Sequence, residues 1–256
     1  MNLILLEPSE VGDSGDVVLS GPRATHVIEV LKATPGKGIR IGVVNGPCGI
    51  GTVQTVSGDE VSLRCVFKSA APPRPSVDLL LALPRPKVMR RLWAQLAALG
   101  VGRIIVTNAE RVERNYFDAQ ALDPACYRPL LIEGLQQARD TQLPEVSIHR
   151  RFRPLVEDEL GSLSDATLRL VADPRASATI GDVAAASSEQ RCLLAVGPEG
   201  GWNEFETDML VAHGFQAVGM GARTLRTDTA CIALLALIGM NRHRHAPPAS
   251  QEMERP

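Results

Sequence analysis

Continuous apolar runs that alternate with helical segments are the feature of this sequence that most constrains its fold. The runs occupy residues 77–83, 103–107, 145–149, 168–172, 192–197 and 217–220. Strands of continuous apolar residues are typical of a parallel sheet covered on both faces. Segments of helical spacing lie between or after them, at residues 87–99, 124–139, 203–213 and 227–242. The pattern predicts an α/β domain with a mostly parallel sheet.

The first 70 residues show a different pattern of apolar and polar residues. Short segments of mixed polarity lie at residues 17–19, 38–44, 51–56 and 60–67, and turn signals such as Asn45-Gly46 separate them. Such segments are typical of short strands, and residues 24–32 between them favour a single short helix. We therefore expect a small β-barrel over residues 1–70.

Proline and polar residues mark the remaining boundaries. The stretch 71–76 contains three prolines and predicts a stiff, extended linker. We expect the second domain to span residues 77–242, and residues 243–256 to form a disordered tail.

Composition excludes several classes of protein. Hydrophobic residues make up 45% and charged residues 22% of the 256-residue chain, as in ordinary globular proteins. The longest apolar run, residues 231–240, is about half as long as a membrane-spanning helix requires, and the N-terminus lacks the basic region of a signal peptide. Five scattered cysteines without C-x-x-C spacing argue against a disulfide framework or a metal site. We expect a cytoplasmic protein with no membrane segment and no metal.

The charge is uneven along the chain. Residues 74–153 carry 13 basic and 8 acidic side chains, a net charge of +5, and 12 of the 13 cations are arginine. Arginine pairs bidentately with phosphate, so this segment is a candidate nucleic-acid surface. A solvated basic face is the alternative that charge alone leaves open.

Three loops after the late strands carry the residues best suited to binding a ligand. Residues 197–201 (GPEGG) follow an apolar strand, residues 219–221 (GMG) follow the last one, and residues 225–230 (LRTDTA) precede an apolar helix. Ligands of open α/β sheets bind at the carboxyl ends of the strands. Glycine-rich turns there leave backbone groups open to a ligand.

Each loop alone has a simpler interpretation. GPEGG is also found in surface turns, Thr-Asp-Thr caps many helices, and Gly219-x-Gly221 lacks the third glycine of a dinucleotide fingerprint because Thr224 stands there. Their combination within 34 residues favours a binding site. Because the site offers backbone groups and few cations, it suits an adenosine-type cofactor better than a triphosphate.

These motifs resemble a known signature. Residues 196–202 (VGPEGGW) followed by residues 225–230 are similar to the C-terminal motifs of the SPOUT methyltransferases, and more narrowly to the RsmE family, which methylates N3 of a uridine in 16S ribosomal RNA. Residues 26–32, 99–101, 109–111 and 136–146 also resemble family segments, so the resemblance covers about residues 1–242.

The resemblance implies a fold, a cofactor and an assembly. It implies an α/β SPOUT methyltransferase with a C-terminal trefoil knot, preceded by a PUA-like β-barrel that binds RNA, and acting as a homodimer. It implies S-adenosyl-L-methionine as cofactor, bound by the three loops, with residues 172–174 bordering the site. The cofactor-binding residues are then Val196, Gly197, Glu199, Gly200, Gly201, Val218, Met220, Gly221, Leu225, Arg226, Thr227, Thr229 and Ala230.

The sequence departs from the family pattern at three places. Asp228 replaces a glutamate of the Thr-Glu-Thr motif, whereas Ala98 and Leu135 replace glutamates in segments expected to face RNA. The two latter changes bear on which nucleotide is methylated, and not on the cofactor.

The reaction suggests roles for charged residues. As the N3 proton of uracil leaves, charge develops on the flanking carbonyl oxygens, and an arginine aimed there would stabilise it. Arg226 is the first candidate for this role and Arg139 the second; Asp228 or water is the candidate base. Phosphates of 16S ribosomal RNA, or of the assembled small subunit, would meet Arg85, Lys87, Arg90, Arg91, Arg111 and Arg114.

Three alternatives remain open from the sequence. The first alternative is a SPOUT methyltransferase that acts on another RNA target. The second is a non-catalytic RNA-binding module, and the third is a nucleotide-dependent oxidoreductase on an ordinary doubly wound sheet. The intact GPEGG loop argues against the second, and the absent glycine fingerprint argues against the third.

Overall fold

The computed structural model describes residues 3–68, 70–187, 190–221 and 223–243. The chain divides into two compact units. The first comprises Met1–Pro75, Trp93–Ala98 and Ala125–Pro144, and the second comprises Ser76–Leu92, Leu99–Pro124 and Glu145–Pro256. The predicted tail, except for its first residue, lies outside the described residues.

Eleven strands and eight α-helices are described. The strands are β1 (Ile4–Leu6), β2 (Asp16–Leu19), β3 (Gly38–Val43), β4 (Cys48–Ser57), β5 (Glu60–Phe67), β6 (Val77–Ala82), β7 (Arg103–Thr107), β8 (Glu145–His149), β9 (Leu168–Ala172), β10 (Cys192–Val196) and β11 (Gln216–Val218). The helices are α1 (Gly21–Thr25), α2 (Pro86–Ala98), α3 (Pro124–Ala138), α4 (Phe152–Pro154), α5 (Leu160–Leu163), α6 (Ile180–Ala186), α7 (Glu204–Ala212) and α8 (Thr227–His243). Short 3₁₀ segments lie at Pro8–Glu10, Arg114–Asp118 and Gln120–Leu122.

The first unit contains a five-stranded sheet in the order β1-β3-β4-β5-β2. β1 pairs with β3 in parallel, and the other ladders are antiparallel. The alternating pattern of the sequence places every second side chain in the core, and Leu6, Leu19, Ile41 and Leu63 are almost completely buried. The four predicted strands are present. β4 begins three residues earlier than expected, and β1 had no counterpart in the sequence interpretation.

The prediction of a single helix over residues 24–32 is wrong in the bounds and in the type of the helix. The α-helical turn begins earlier, at Gly21, because Pro22 fits the first turn of a helix, where its missing N–H is not needed. The chain then continues as a π-helical segment over His26–Val30. It ends where Lys32 adopts a left-handed φ of +46°.

Helix α3 belongs to the first unit from its second residue onward, together with residues 139–144 that follow it. Gly134 packs against the main-chain carbonyl of Ala94, so that a larger side chain would not fit there. Leu135, at the position where the family pattern has a glutamate, is 1% exposed and part of the core. The apolar residue at this position is therefore explained by packing.

The second unit contains a six-stranded sheet in the order β11-β9-β10-β6-β7-β8, and every ladder in it is parallel. This confirms the predicted α/β fold with a parallel sheet. The central strands β6 and β10 are buried along their whole length, as their unbroken apolar sequences require. All six predicted strands are present, three of them with the predicted bounds.

Some parts of the second unit do not follow the predicted pattern. Asp78 interrupts the apolar strand β6; it is fully buried, pairs with Arg191 over 2.9 Å and accepts a hydrogen bond from Ser164 over 2.8 Å. The helical residues 152–163, in which a π-helical segment joins α4 to α5, and helix α6 were not predicted.

Two features are absent from the part of the chain that the structure describes. Within residues 3–68, 70–187, 190–221 and 223–243, no helix has the length and hydropathy needed to cross a membrane. The same residues contain no group of three or more histidine, cysteine, aspartate or glutamate side chains arranged to hold a metal ion.

Candidate active site

A cavity of about 520 Å³ lies in the second unit where β9, β10 and β11 end. Carboxyl ends of parallel strands are where open α/β sheets place their ligands. The cavity is lined by residues 172–175, 196–204, 218–221 and 223–225, with Arg111, Thr207, Thr227, Ala230 and Leu234. The three loops singled out in the sequence therefore meet around one cavity.

The first loop follows β10 and turns sharply at its glycines. The N–H of Gly201 donates to the carbonyl of Pro198 over 2.8 Å, and Gly201 has a left-handed φ of +70°. A Cβ on Gly197 would lie 2.8 Å from the main-chain nitrogen of Trp202. The loop therefore needs glycine for its turn and for its close backbone packing.

The second loop follows β11 and is held by main-chain hydrogen bonds. Gly219 donates to the carbonyl of Ala178 over 2.9 Å and accepts from the N–H of Ile180 over 2.9 Å. The N–H of Asp173 donates to the carbonyl of Val218 over 3.0 Å. These bonds fix the loop against the segment that follows β9.

The third loop leads into α8. The buried hydroxyl of Thr227 donates to the carbonyl of Gly197 over 3.3 Å, which joins this loop to the first one. The Asp228 carboxylate accepts the N–H of Thr229 over 2.9 Å and pairs with Arg91 over 3.2 Å. Asp228 is the second residue of α8, so it bonds the first turn from within and does not precede the helix as an N-cap residue does; it also holds an arginine of α2.

The cavity combines apolar walls with charges of both signs. Val196, Val218 and Leu234 contribute apolar surface, while Asp173 and Arg175 contribute charge. The Arg175 guanidinium donates two hydrogen bonds to Asp173 over 3.1 and 3.0 Å, which lowers the pKa of that carboxyl although its partial burial acts in the opposite direction. Such a lining suits a ligand with an apolar ring system and charged ends.

A second, smaller cavity of about 290 Å³ shares part of this wall. It is lined by Arg85, Val88, Arg91, Glu199, Arg226, Thr227 and Asp228, of which Glu199 and Thr227 also line the larger cavity. The Glu199 carboxylate accepts the N–H of Arg85 over 3.0 Å. Three arginines against two carboxylates make this cavity suitable for an anionic or carbonyl-rich ligand.

The structure brings together most of the residues assigned to the cofactor from sequence. Eleven of the thirteen line the larger cavity. The exceptions are Arg226, which lines the smaller cavity, and Thr229, which is exposed and lines neither.

The three candidate catalytic residues are divided. Arg226 and Asp228 line the smaller cavity together. Arg139 belongs to the first unit, whereas the other two belong to the second. Arg139 is exposed and follows the last residue of α3 with a left-handed φ of +63°.

The candidate RNA-binding residues also fall into groups. Arg85 and Arg91 line the smaller cavity, and Arg111 lines the larger one, where its guanidinium donates to the carbonyl of Gly200. The others are exposed: Lys87 and Arg90 on α2, and Arg114 at the start of a 3₁₀ segment.

Sequence reasoning missed several lining residues, among them Arg175, Thr207 and Leu234. Leu234 carried a usable signal, because it lies four residues after Ala230 and seven after Thr227 on one face of α8. Arg175 and Thr207 carried none, since their places depend on how separate loops fold together.

Comparisons with known proteins agree with this geometry. The sequence profile of a family described as "RNA methyltransferase domain" matches residues 72–239. A ribosomal RNA small subunit methyltransferase E from Treponema pallidum is 33% identical over 250 residues, which cover 95% of this chain and 92% of the relative. A ribosomal RNA small subunit methyltransferase E 1 from Borreliella burgdorferi is 24% identical, over 91% of this chain and 95% of the relative.

A solved structure has the same fold. It is the crystal structure of a ribosomal RNA small subunit methyltransferase E from Neisseria gonorrhoeae bound to S-adenosyl methionine. It superposes with a TM-score of 0.75 at 21% identity, covering 94% of this chain and 97% of that chain. The profile match over more than half of the chain, and the relative at 33% identity, identify the family. The protein belongs to the ribosomal RNA small subunit methyltransferase E family, the RsmE family of RNA methyltransferases.

Proposed function

We propose that this protein transfers a methyl group from S-adenosyl-L-methionine to N3 of a uridine in the 16S ribosomal RNA of the small subunit. Membership of the RsmE family supports the activity. The single observation that carries the proposal is the cavity at which the three loops meet, because its lining contains eleven of the residues assigned to that cofactor from the motifs.

The residues of the larger cavity fit the cofactor. Val196, Val218 and Leu234 offer apolar surface to the adenine ring, and Asp173 and Arg175 offer charges to the ionic end of the molecule. A Cβ on Gly197 would press on the main chain of the loop, so the glycine keeps the loop in its place beside the cavity. When bound, the cofactor supplies an electrophilic methyl group.

In our proposal the smaller cavity receives the target base. The bond from N3 to the methyl carbon forms as the sulfur–methyl bond breaks, and the N3 proton passes to water. Arg226 donates hydrogen bonds to a uracil carbonyl oxygen and stabilises the charge that develops there. A base inside a folded RNA has to leave its stack to reach this position.

Asp228 acts in this scheme by positioning and not as the base. Its carboxylate already accepts the N–H of Thr229 and pairs with Arg91. The two partners use one carboxylate oxygen each, Oδ1 for Thr229 and Oδ2 for Arg91, so the side chain is held in one orientation. Arg91 is thereby held at the wall of the smaller cavity.

Exposed cations supply the remaining contacts with RNA. Four of them are exposed and can contact RNA phosphates: Arg85, Lys87, Arg90 and Arg114. Contacts with phosphates fix the position of the RNA but do not recognise its sequence. A ribosomal substrate also makes the cytoplasm the place of the reaction.

The finer features of the fold belong to the same proposal. We assign residues 1–70 to a PUA-like RNA-binding barrel, residues 71–76 to a linker, and residues 77–242 to a SPOUT domain with a C-terminal trefoil knot. The main-chain bonds between Gly219 and the segment before α6 support a tightly crossed chain path.

Two copies of the chain form the active assembly in this proposal, because α8 is rich in apolar residues and yet Met240 on it is 48% exposed. Analytical ultracentrifugation distinguishes a dimer of about 55 kDa, twice the 27.5 kDa chain, from a monomer.

The decisive experiment is a methyl-transfer assay. Purified protein and labelled S-adenosylmethionine are incubated with small ribosomal subunits from a strain that lacks this protein, and the modified base is then mapped. Label at N3 of one uridine in 16S ribosomal RNA is the expected result. Cofactor binding without label points to another RNA target, with the exposed Ala98 as the first position to revert to glutamate. Failure to bind the cofactor at all contradicts the proposal.

A further inference from the structure

Glu206 is a buried carboxylate in the first turn of α7, with 3% of its surface exposed. One oxygen, Oε2, accepts the N–H of Asn203 over 2.9 Å, and the Asn203 side chain accepts the N–H of Glu206 over 2.8 Å. These reciprocal bonds are a capping box. The other oxygen, Oε1, accepts the N–H of Glu110 over 2.7 Å. Capping does not account for that bond, because Glu110 lies 96 residues away in the sequence.

The segment held by Glu206 carries a residue of the larger cavity. Arg111 follows Glu110 directly, lines the cavity, and donates a hydrogen bond to the carbonyl of Gly200. A Cβ on Gly200 would lie 2.8 Å from Cδ of Arg111, so the arginine side chain packs closely on this glycine. The loop after β7 therefore has two links, one from Glu110 to Glu206 in α7 and one from Arg111 to Gly200 in the glycine-rich loop.

We propose that Glu206 is a positioning residue for the cofactor site, which acts by holding the main chain at Glu110 so that Arg111 closes on Gly200. The inference rests on the proposed function, since it assumes that the larger cavity binds S-adenosylmethionine. A buried carboxylate is expensive unless it is hydrogen-bonded, and here two main-chain N–H groups and a helix N-terminus stabilise its charge. Its second bond fixes the wall of the cavity in addition to capping a helix.

The test is a double-mutant cycle read by calorimetric titration with S-adenosylmethionine. Glu206→Gln replaces one of the two carboxylate oxygens by an NH₂ group. The remaining oxygen still accepts one main-chain N–H, but the NH₂ group faces the other N–H and cannot accept a hydrogen bond from it. We expect Glu206→Gln and Arg111→Ala each to raise Kd about tenfold, as for the loss of one hydrogen bond that involves a charged group. Because both changes break the same connection, the double variant is also expected near tenfold. A Kd near the product of the two effects, about a hundredfold, overturns the proposal.

A role limited to helix capping gives a different result. It lowers the melting temperature of Glu206→Gln and leaves its Kd unchanged, and this outcome also overturns the proposal. The matched control is Glu133→Gln, which makes the same substitution at an exposed position of α3 outside both cavities. We expect its Kd to stay within about twofold, as for most surface substitutions. A tenfold increase in the control would assign the effect to net charge and would equally overturn the proposal.

Amide hydrogen exchange in the cofactor-free protein separates this inference from the proposed function. We expect the Glu110 amide to exchange about tenfold faster in Glu206→Ala than in the wild type, because alanine removes both acceptor oxygens. Equal exchange rates show that the link does not hold the loop and overturn the inference. A wild-type protein that fails to bind S-adenosylmethionine contradicts the proposed function instead, and in that case the exchange rates still decide whether Glu206 holds the loop.

Discussion

The hydroxyl of Thr227 donates a hydrogen bond to the main-chain carbonyl of Gly197 over 3.3 Å, although the two residues lie 30 positions apart. Gly197 begins the turn after β10, and Thr227 is the first residue of α8. The bond ties together the two motifs on which the family resemblance rests. Thr227 is 4% exposed, so little water is available to replace its hydroxyl as the partner of this carbonyl.

Thr227→Val tests this bond, because valine keeps the shape of the side chain and removes the hydroxyl. We expect the Kd for S-adenosylmethionine to rise about threefold to tenfold, which corresponds to the loss of about 0.5–1.5 kcal/mol of hydrogen bonding. Calorimetric titration measures the change. Thr167→Val, at an exposed position outside both cavities, is the control; an equal rise there would contradict the role of Thr227.

Gly197→Ala tests how closely the backbone of the turn is packed. The added methyl group would meet the main-chain nitrogen of Trp202 at 2.8 Å and the carbonyl carbon of Gly201 at 3.1 Å, and main-chain atoms do not move aside as a flexible side chain does. We expect a loss of about 1–3 kcal/mol, seen as a melting temperature lower by several degrees.

Gly161→Ala is the matched glycine substitution for that experiment. Gly161 lies in α5, and nothing lies within 4 Å of the Cβ position. Alanine there is expected to stabilise the protein by about 0.5–1 kcal/mol, since glycine is unfavourable inside a helix. A similar destabilisation in both variants, measured by thermal unfolding, would show that packing at Gly197 is not the cause.

Arg226→Ala separates methyl transfer from cofactor binding. Arg226 lines the smaller cavity and not the larger one. We therefore expect methyl transfer to fall by about two to three orders of magnitude, as for removal of one donor to a developing oxyanion. The Kd for S-adenosylmethionine should change less than about threefold, which is a smaller change than the loss of a full hydrogen bond to the cofactor would cause. A complete loss of cofactor affinity would argue against the catalytic role.

Stability at low pH depends on Glu10. Its carboxylate accepts hydrogen bonds from Arg23, one of them over 2.9 Å, and this arginine lowers the pKa of Glu10 below its ordinary value of 4.5. A lowered pKa contributes stability that is present above pH 4.5 and is lost as the pH falls through the folded-state value. Glu10→Gln is therefore expected to lower the melting temperature at pH 7 and to have a smaller effect at pH 3.

Calorimetry at several pH values measures this difference. Glu60→Gln, at an exposed position at the start of β5, is expected to change the melting temperature by no more than about 2 °C, as for an ordinary surface substitution. A penalty for Glu10→Gln that is the same at pH 3 and pH 7 would show that the ion pair with Arg23 does not contribute the stability.

The parallel sheet and the binding loops were predictable because their signals are local. An unbroken apolar strand, a glycine turn and a helix cap lie next to one another at Leu194–Asn203 in the sequence, and each dictates its own backbone conformation. The link between Asp228 and Arg91 was not predictable, since 137 residues separate the two side chains. The same holds for Glu206 and Glu110.

The missed helices lack the pattern that predicts longer ones. α4 and α5 have three and four residues, and the segment between them is π-helical, so no 3.6-residue period develops. α6 is seven residues long, and three of them are consecutive small alanines. Buried side chains such as Leu155, Leu160 and Ile180 hold these segments to the core, and tertiary packing of this kind is invisible to a local pattern.

The order of the strands in the parallel sheet has a consequence for the synthesis of the protein. β10 lies between β9 and β6, yet it is the fifth of the six strands to leave the ribosome. Until residues 192–196 emerge, the facing edges of β6 and β9 have no partner strand, and the centre of the sheet stays open. The second unit therefore completes its folding only after most of the chain has been translated. Such delayed, long-range pairing makes folding slow and makes the nascent chain dependent on protection of its exposed strand edges.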